Sequence, residues 1–292
     1  MGVPLTRVLA HTPGIVVSTV VTAALAASLP GPLGSLVFLG VLSLTIVLLA
    51  GAGEPVAVRG LFGARALTPA ERAALAPAVV RLCQRGLGPP LVRLYLWPGV
   101  RSVSARGAGR RAGLVSGELV SQVRLGRLPP DQAAAVIAHA AGLVRVGALR
   151  SELAMQLWTI PWRFLCGLAL LVSAAGGRLP VVALMWRARF VLGLIALGQG
   201  VTAGQPEAVV AGVLSAAVVG LSYLVPWWEK AWAAGLQALG DEQLAHAGLA
   251  PALADFLLRQ SRSAATFERV HALDLAHASL QPPIPPVRST RR

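Results

Sequence analysis

Two long stretches of this chain are apolar, and the segments beside them carry its charge. Between Arg7 and Glu54 no residue is formally charged, a run of 46 residues. Pro30-Gly31-Pro32 breaks that run in the middle. Each half is close to the ~20 apolar residues that cross the hydrocarbon of a bilayer. The pattern predicts two transmembrane helices, near 12–30 and 33–52, joined by a tight turn. A cleavable signal peptide competes for the first half, because Ala23–Ala27 supplies small residues. The second apolar run directly behind it favours a hairpin of two spans.

The second apolar stretch runs from about Leu157 to Trp228. Its cleanest part lies between Glu207 and Glu229, 21 residues without charge. Two weaker segments precede it. Phe164–Gly177 follows Arg163, and Leu179–Val201 is interrupted by Arg187 and Arg189. Charge at mid-helix is costly in lipid, so one of these segments is expected in the interface or inside a bundle. Trp158, Trp162, Trp186, Trp227 and Trp228 fall at or near segment ends, where interfacial aromatics anchor helices.

Between and after the apolar stretches the periodicity is that of soluble elements. Thr68-Pro69-Ala70-Glu71 opens a helix: a Thr cap, Pro at the first helical position, and Glu three residues after the cap. That helix is expected to end near Arg85, before Gly86. Leu91–Trp97 reads as a strand and Pro98-Gly99 as a turn. Ser102–Ala105 and Ala112–Ser116 read as short strands flanking a flexible Arg106-Gly107-Ala108-Gly109. Pro129-Pro130-Asp131 starts a helix over about 130–150. Later helices are expected near Glu242–Ala247 and Pro251–Gln260, and the last dozen residues are expected to be extended. These readings divide the chain into 1–53, 54–156, 157–228 and 229–292.

Composition agrees with the pattern. Residues of the set AVILMFWYC make up 55% of the chain and charged residues 13%, against roughly 25% charged in a typical soluble domain. This excludes an ordinary soluble enzyme, a disordered tail and a coiled coil. Two cysteines, Cys83 and Cys166, exclude a disulfide framework and a Cys-rich zinc module. The net charge of +14 admits nucleic acid at first sight. However, 14 arginines sit in residues 55–155 against four acids, and only Tyr95 and Trp97 lie nearby to stack on bases. The charge instead reports loops held at the cytoplasmic face of a membrane. Arg106, Arg110 and Arg111 lie in a Gly-rich loop without Walker or dinucleotide spacing, and are expected near anionic lipid heads. An inside block and an inside tail require an even number of crossings between them, whereas three apolar segments lie there. Many Ala, Gly and Arg with a single Lys, Lys230, suggest a bacterial source with a GC-rich genome.

The chemistry-bearing stretch is Ala133-Ala134-Ala135-Val136-Ile137-Ala138-His139-Ala140-Ala141-Gly142-Leu143. Here the chain resembles the membrane-bound zinc metallopeptidases of the HtpX and CAAX prenyl protease type, in which a helix reads roughly A-A-V-x-A-H-E-x-x-H. The order around it is similar too: two N-terminal spans, a soluble helix, a short sheet, Ser102-Val103-Ser104-Ala105-Arg106-Gly107, and Val115–Val120 before the helix. More spans and a late E-x-x-A-D helix follow in that family, and Gln281-Pro282-Pro283-Ile284 resembles its H-P-P segment. The resemblance implies a mainly α, multi-pass membrane protein with a gluzincin-like α+β metallopeptidase domain split by transmembrane helices.

The departures fall on the catalytic positions. In H-E-x-x-H, residues four apart share a helix face, so two His bind one zinc, and the Glu activates its water. His139 holds the first position, Ala140 stands for the Glu, and Leu143 for the second His. Glu229 matches the third ligand, and Trp232-Ala233 replaces the family's Ala-Asp pair. The resemblance thus leaves His139 and Glu229 as vestigial metal ligands and zinc as a doubtful cofactor, with the family's general base missing. From the residues alone, His139 also fits a hydrogen-bonded core histidine, and Glu229, beside Lys230, a solvated interfacial charge. His246, His271 and His277 could rebuild a site, although a spacing of six does not put His271 and His277 on one helical face. Asp241-Glu242 reads as a charge pair at a helix start.

The expectation is a catalytically inactive membrane homologue of these peptidases, with its soluble parts cytoplasmic. It would bind or regulate a membrane or peptide partner and not nucleic acid, a peptide adding as a strand beside Ser102–Arg106. One alternative is an active metalloendopeptidase with a rebuilt zinc site. Another is a transport component, motivated by Arg163, Arg187 and Arg189.

Overall fold

A computed structural model gives the fold and describes residues 3–88, 92–176, 189–202 and 204–280. It is mostly helical with one small mixed sheet. The helices are α1 (Val3–Ala27), α2 (Leu33–Leu49), α3 (Glu54–Phe62), α4 (Pro69–Gln84), α5 (Gly117–Arg124), α6 (Pro130–Arg145), α7 (Glu152–Trp158), α8 (Ile160–Gly176), α9 (Arg189–Thr202), α10 (Pro206–His246), α11 (Ala250–Gln260) and α12 (Ala264–Leu280). The strands are β1 (Arg65–Ala66), β2 (Arg93–Trp97), β3 (Ala105–Ala108) and β4 (Ala112–Ser116), in the order β1-β2-β4-β3. The β2–β4 pair is parallel and the two outer pairs are antiparallel.

The chain forms two compact units, Met1–Ile46 with Ala154–Gly235, and Val47–Leu153 with Leu236–Arg292. The first unit therefore gathers both apolar stretches. Its α1 starts at Val3 rather than near 12, carries Pro13 inside, and ends at a turn where Gly31 has φ 57°. Thr6–Ala27 is long and apolar enough to cross a membrane; α2 reaches that length only together with α3, across a bend of 115°. No other helix among the described residues passes the same test. Small residues of α1 let α8 approach: a methyl at Gly14 would lie 3.0 Å from Trp162 Cδ1. Trp162 N–H, at the unpaired start of α8, donates to the fully buried Ser18 Oγ at 3.1 Å. Trp158 Nε1–H donates to Thr19 Oγ1 at 3.0 Å.

In the second unit the Thr68 capping box forms as its residues predict. Thr68 Oγ1 accepts from Glu71 N and Glu71 Oε2 accepts from Thr68 N. Arg65 also bonds the Glu71 carboxylate and, as the largest cause, holds its pKa down at about 2. Helix α6 is buried nearly all round, as a helix apolar on every side must be. It packs against α4, α11, β3 and β4.

Three sequence expectations need correction. Ser102–Ala105 is not the strand; β3 is Ala105–Ala108, the stretch expected to be flexible. Gly107 allows this, because a Cβ there would lie 2.6 Å from Leu149 Cδ1 and 2.9 Å from Ala140 O, so only a bare Cα lets β3 lie on α6. The helix expected near Glu242–Ala247 is the end of α10, which continues from the last apolar stretch. Ala, Leu, Gln and Glu after Lys230 are good helix formers, and no proline interrupts them. The helix stops where Gly248, at φ 69°, donates to Ala245 O and Leu249 donates to Leu244 O. Asp241-Glu242 therefore lies inside a helix and not at its start. The segment 177–188, with Arg187, and the extended tail with Gln281-Pro282-Pro283-Ile284 lie outside the described residues.

Candidate functional site around His139

Helix α6 carries His139 on the side that meets α10. The approach is close because both helices lack side chains there. A methyl at Gly240 would strike His139 Cε1 and lie 2.6 Å from Nδ1, and one at Gly142 would lie 2.6 Å from Gln243 Cβ. Next to Gly240 stands Asp241, whose Oδ1 is 3.0 Å from His139 Nδ1. The distance is that of an ion pair, although the approach is angled away from a straight N–H···O line.

The other side of the carboxylate is taken by α12. Arg269 Nε donates to Asp241 Oδ2 at 2.9 Å and Nη2 to Oδ1 at 2.8 Å, a two-pronged guanidinium–carboxylate pair. All three side chains are largely buried, with 19%, 15% and 23% exposure for His139, Asp241 and Arg269. Burial pushes the Asp241 carboxyl up, but His139 and Arg269 outweigh it and hold its pKa below the ordinary aspartate value. The group ties α6, α10 and α12 together. It can fix the imidazole's orientation and neutralise the aspartate.

The structure places the other singled-out residues as follows. Ala140 and Leu143 are buried at 2% and 7% exposure, and Leu143 belongs to the main core. Glu229 belongs to the first unit, where it lines a cavity with His11, Arg163 and Cys166. His246 sits 4.0 Å from Glu242 one turn earlier on α10, and His271 and His277 are on α12. A zinc centre of the implied kind needs three converging protein ligands. Among the described residues no three of His, Cys, Asp and Glu converge, and the carboxylate beside His139 is engaged by Arg269.

Beside α6 lies the outer edge of the sheet. Ser116 N donates to Ser104 O, so in the antiparallel register residues 104, 106 and 108 bond to β4. Ala105, half-buried, and Gly107, buried, therefore turn their N–H and C=O away from β4, on an edge that no described strand pairs. Arg106 Nη2 is held by Glu152 at 2.8 Å, and its guanidinium lies 5.6 Å from the centre of the Phe62 ring.

Reasoning from sequence missed Asp241 and Arg269 as partners of His139. The only sequence signal was Gly240-Asp241 on a helical stretch, since Arg269 arrives from a helix that the pattern did not predict. It also missed Glu54, which serves above only to end an apolar run. Glu54 is buried, and its Oε1 accepts from Arg111 N at 2.8 Å and Ala112 N at 2.9 Å. No family model matches this chain, and no curated protein and no solved structure matches it either.

Proposed function

We propose that this chain is an integral membrane protein of the metallopeptidase-like architecture described above, without peptidase chemistry, that acts by binding a peptide segment of a membrane partner. The observation that carries the reading is the environment of His139. Its Nδ1 faces Asp241, which Arg269 already holds, and the next two catalytic positions are the buried Ala140 and Leu143. Such a histidine joins helices; it is not poised to hold an ion and a water. The unpaired edge of β3 supports the binding half of the proposal, because an extended peptide can add there through main-chain hydrogen bonds.

The test uses the purified full chain in detergent. Metal content and proteolysis with and without chelator are measured, together with binding of extended peptides to wild type and Ala105→Pro. The proline removes an outward N–H and leaves the β3–β4 bonds in place. The expected result is no stoichiometric zinc, no chelator-sensitive cleavage, and peptide binding that Ala105→Pro abolishes. One zinc per chain with chelator-sensitive cleavage would establish the active-enzyme alternative. Peptide binding unchanged in Ala105→Pro would remove strand addition.

A further inference from the structure

A different face of the second unit gathers arginines around a cavity of about 360 Å3, and the main-chain register explains why. Strand β2 pairs Arg93 with Ala112 at the start of β4, and Arg93 N donates to Arg111 O at 2.6 Å. Arg93 and Tyr95, two residues apart, share one face of β2. Arg110 reaches the same cavity from the β3–β4 turn, and its Nη2 donates to Leu49 O, the last carbonyl of α2, at 2.7 Å. Gly51, at φ 88°, leaves room for it, since a Cβ there would lie 2.7 Å from Arg110 Cδ. Arg106, which the sequence groups with Arg110 and Arg111, goes to Glu152 instead.

Basic residues outnumber acids in this lining, three arginines to the single Glu54. Arg93 and Arg111 form no ion pair with any described residue. Glu54, the acid in the lining, spends one oxygen on two backbone N–H groups and so orders the turn. Tyr95 is 8% exposed, lines the cavity, and its hydroxyl bonds to no described residue. Three arginines and one tyrosine lining a concavity match an anion with several oxygens, because a guanidinium offers a planar fork of donors. Ala50 and Gly51, directly after the 17 residues of α2, also line the cavity.

We propose that the cavity formed by Arg93, Tyr95, Arg110 and Arg111 binds a phosphate group, presented by the headgroup of an anionic phospholipid at the end of α2. The phosphate chemistry follows from the lining alone; the lipid source rests on α2 lying in the membrane, as in the reading above. It does not depend on what β3 binds.

The full chain in a phosphate-free maltoside detergent is titrated with phosphatidylglycerol, with phosphatidylcholine, and with inorganic phosphate, and retained ligand and thermal stability are measured. Arg93→Gln/Arg111→Gln tests the site and spares Arg110, which caps α2. Arg124→Gln/Arg127→Gln, elsewhere in the same unit, removes the same charge. Phosphatidylglycerol is expected to bind in preference to phosphatidylcholine, and the Arg93/Arg111 pair to weaken it about tenfold or more, with the control pair near wild type. Tyr95→Phe, which deletes one hydroxyl and keeps the ring, is expected to weaken it severalfold. Inorganic phosphate stabilising wild type as well as the lipid does, and failing in Arg93→Gln/Arg111→Gln, would support the phosphate site and overturn its lipid source. Binding unchanged in Arg93→Gln/Arg111→Gln and in Tyr95→Phe, or equally lost in the control pair, would overturn the site.

Discussion

Replacing Asp241 by Asn keeps the shape of the group between His139 and Arg269 and removes its charge. The carboxylate accepts two bonds from Arg269, at 2.9 and 2.8 Å, and stands 3.0 Å from His139 Nδ1. Breaking a buried ion pair by neutralising one partner typically costs about 3–5 kcal/mol, and charge-assisted bonds are worth about 1.5–3 kcal/mol each. The residual exposure of the three side chains and the amide oxygen that Asn retains reduce this, so about 2–3 kcal/mol is expected at neutral pH. The dependence on pH has a definite sign. A carboxyl whose pKa is lower in the folded than in the unfolded chain stabilises above the unfolded value, about 3.9 for aspartate, and loses this as pH falls through the folded value. The deficit of Asp241→Asn should therefore shrink as the pH falls below about 4. Amide hydrogen exchange in α6 and α12 reads it directly, because opening of either helix must break the group. Arg269→Gln should then cost much less in the Asp241→Asn background than in wild type. Unchanged protection of α6 and α12 at neutral pH, or a deficit that persists undiminished in acid, would refute the argument that this charge group joins the three helices.

Two further predictions probe close packing and capping. Gly240→Ala should destabilise the second unit by about 1–3 kcal/mol through collision with the His139 ring, although alanine favours an unobstructed helix by about 1 kcal/mol; much of the deficit should disappear in a His139→Ala background, and a loss unchanged there would sink the explanation. Ser18→Ala should leave the N–H of Trp162 without its acceptor at the start of α8 and cost about 1–3 kcal/mol, seen as faster exchange of that amide and a lower melting temperature, whereas Thr12→Ala, whose hydroxyl only bonds its own helix, should change little.

Local rules made several elements legible. The Thr68 capping box and the Gly86 stop rest on interactions within a few residues, and the apolar run Ala112–Ser116 marks its own strand; all three lie where the chain chemistry put them. The β3 strand was not legible, since Arg106-Gly107-Ala108 has the composition of a flexible loop until α6 supplies a surface on which Gly107 can lie. The continuity of α10 was hidden for the opposite reason: the change from apolar to charged residues after Trp228 resembles a boundary, but the residues that follow are themselves good helix formers and carry the helix on to His246.

By itself the sequence determined where charge is missing and where it collects, and that an apolar helix carries a single histidine, His139, followed by Ala140 and Leu143. These are properties of residue identity and spacing along one element. Only the tertiary structure decided the partners: Asp241 and Arg269 for His139, and Arg93 beside Arg110 and Arg111. Arg93 lies 17 and 18 positions before Arg110 and Arg111, and Asp241 and Arg269 lie 102 and 130 positions after His139. They meet because helix packing at Gly142 and Gly240, and the parallel register of β2 with β4, bring their backbones together. A pattern within one segment carries no record of which distant segment will be packed against it, so spacing could find the histidine and not its use.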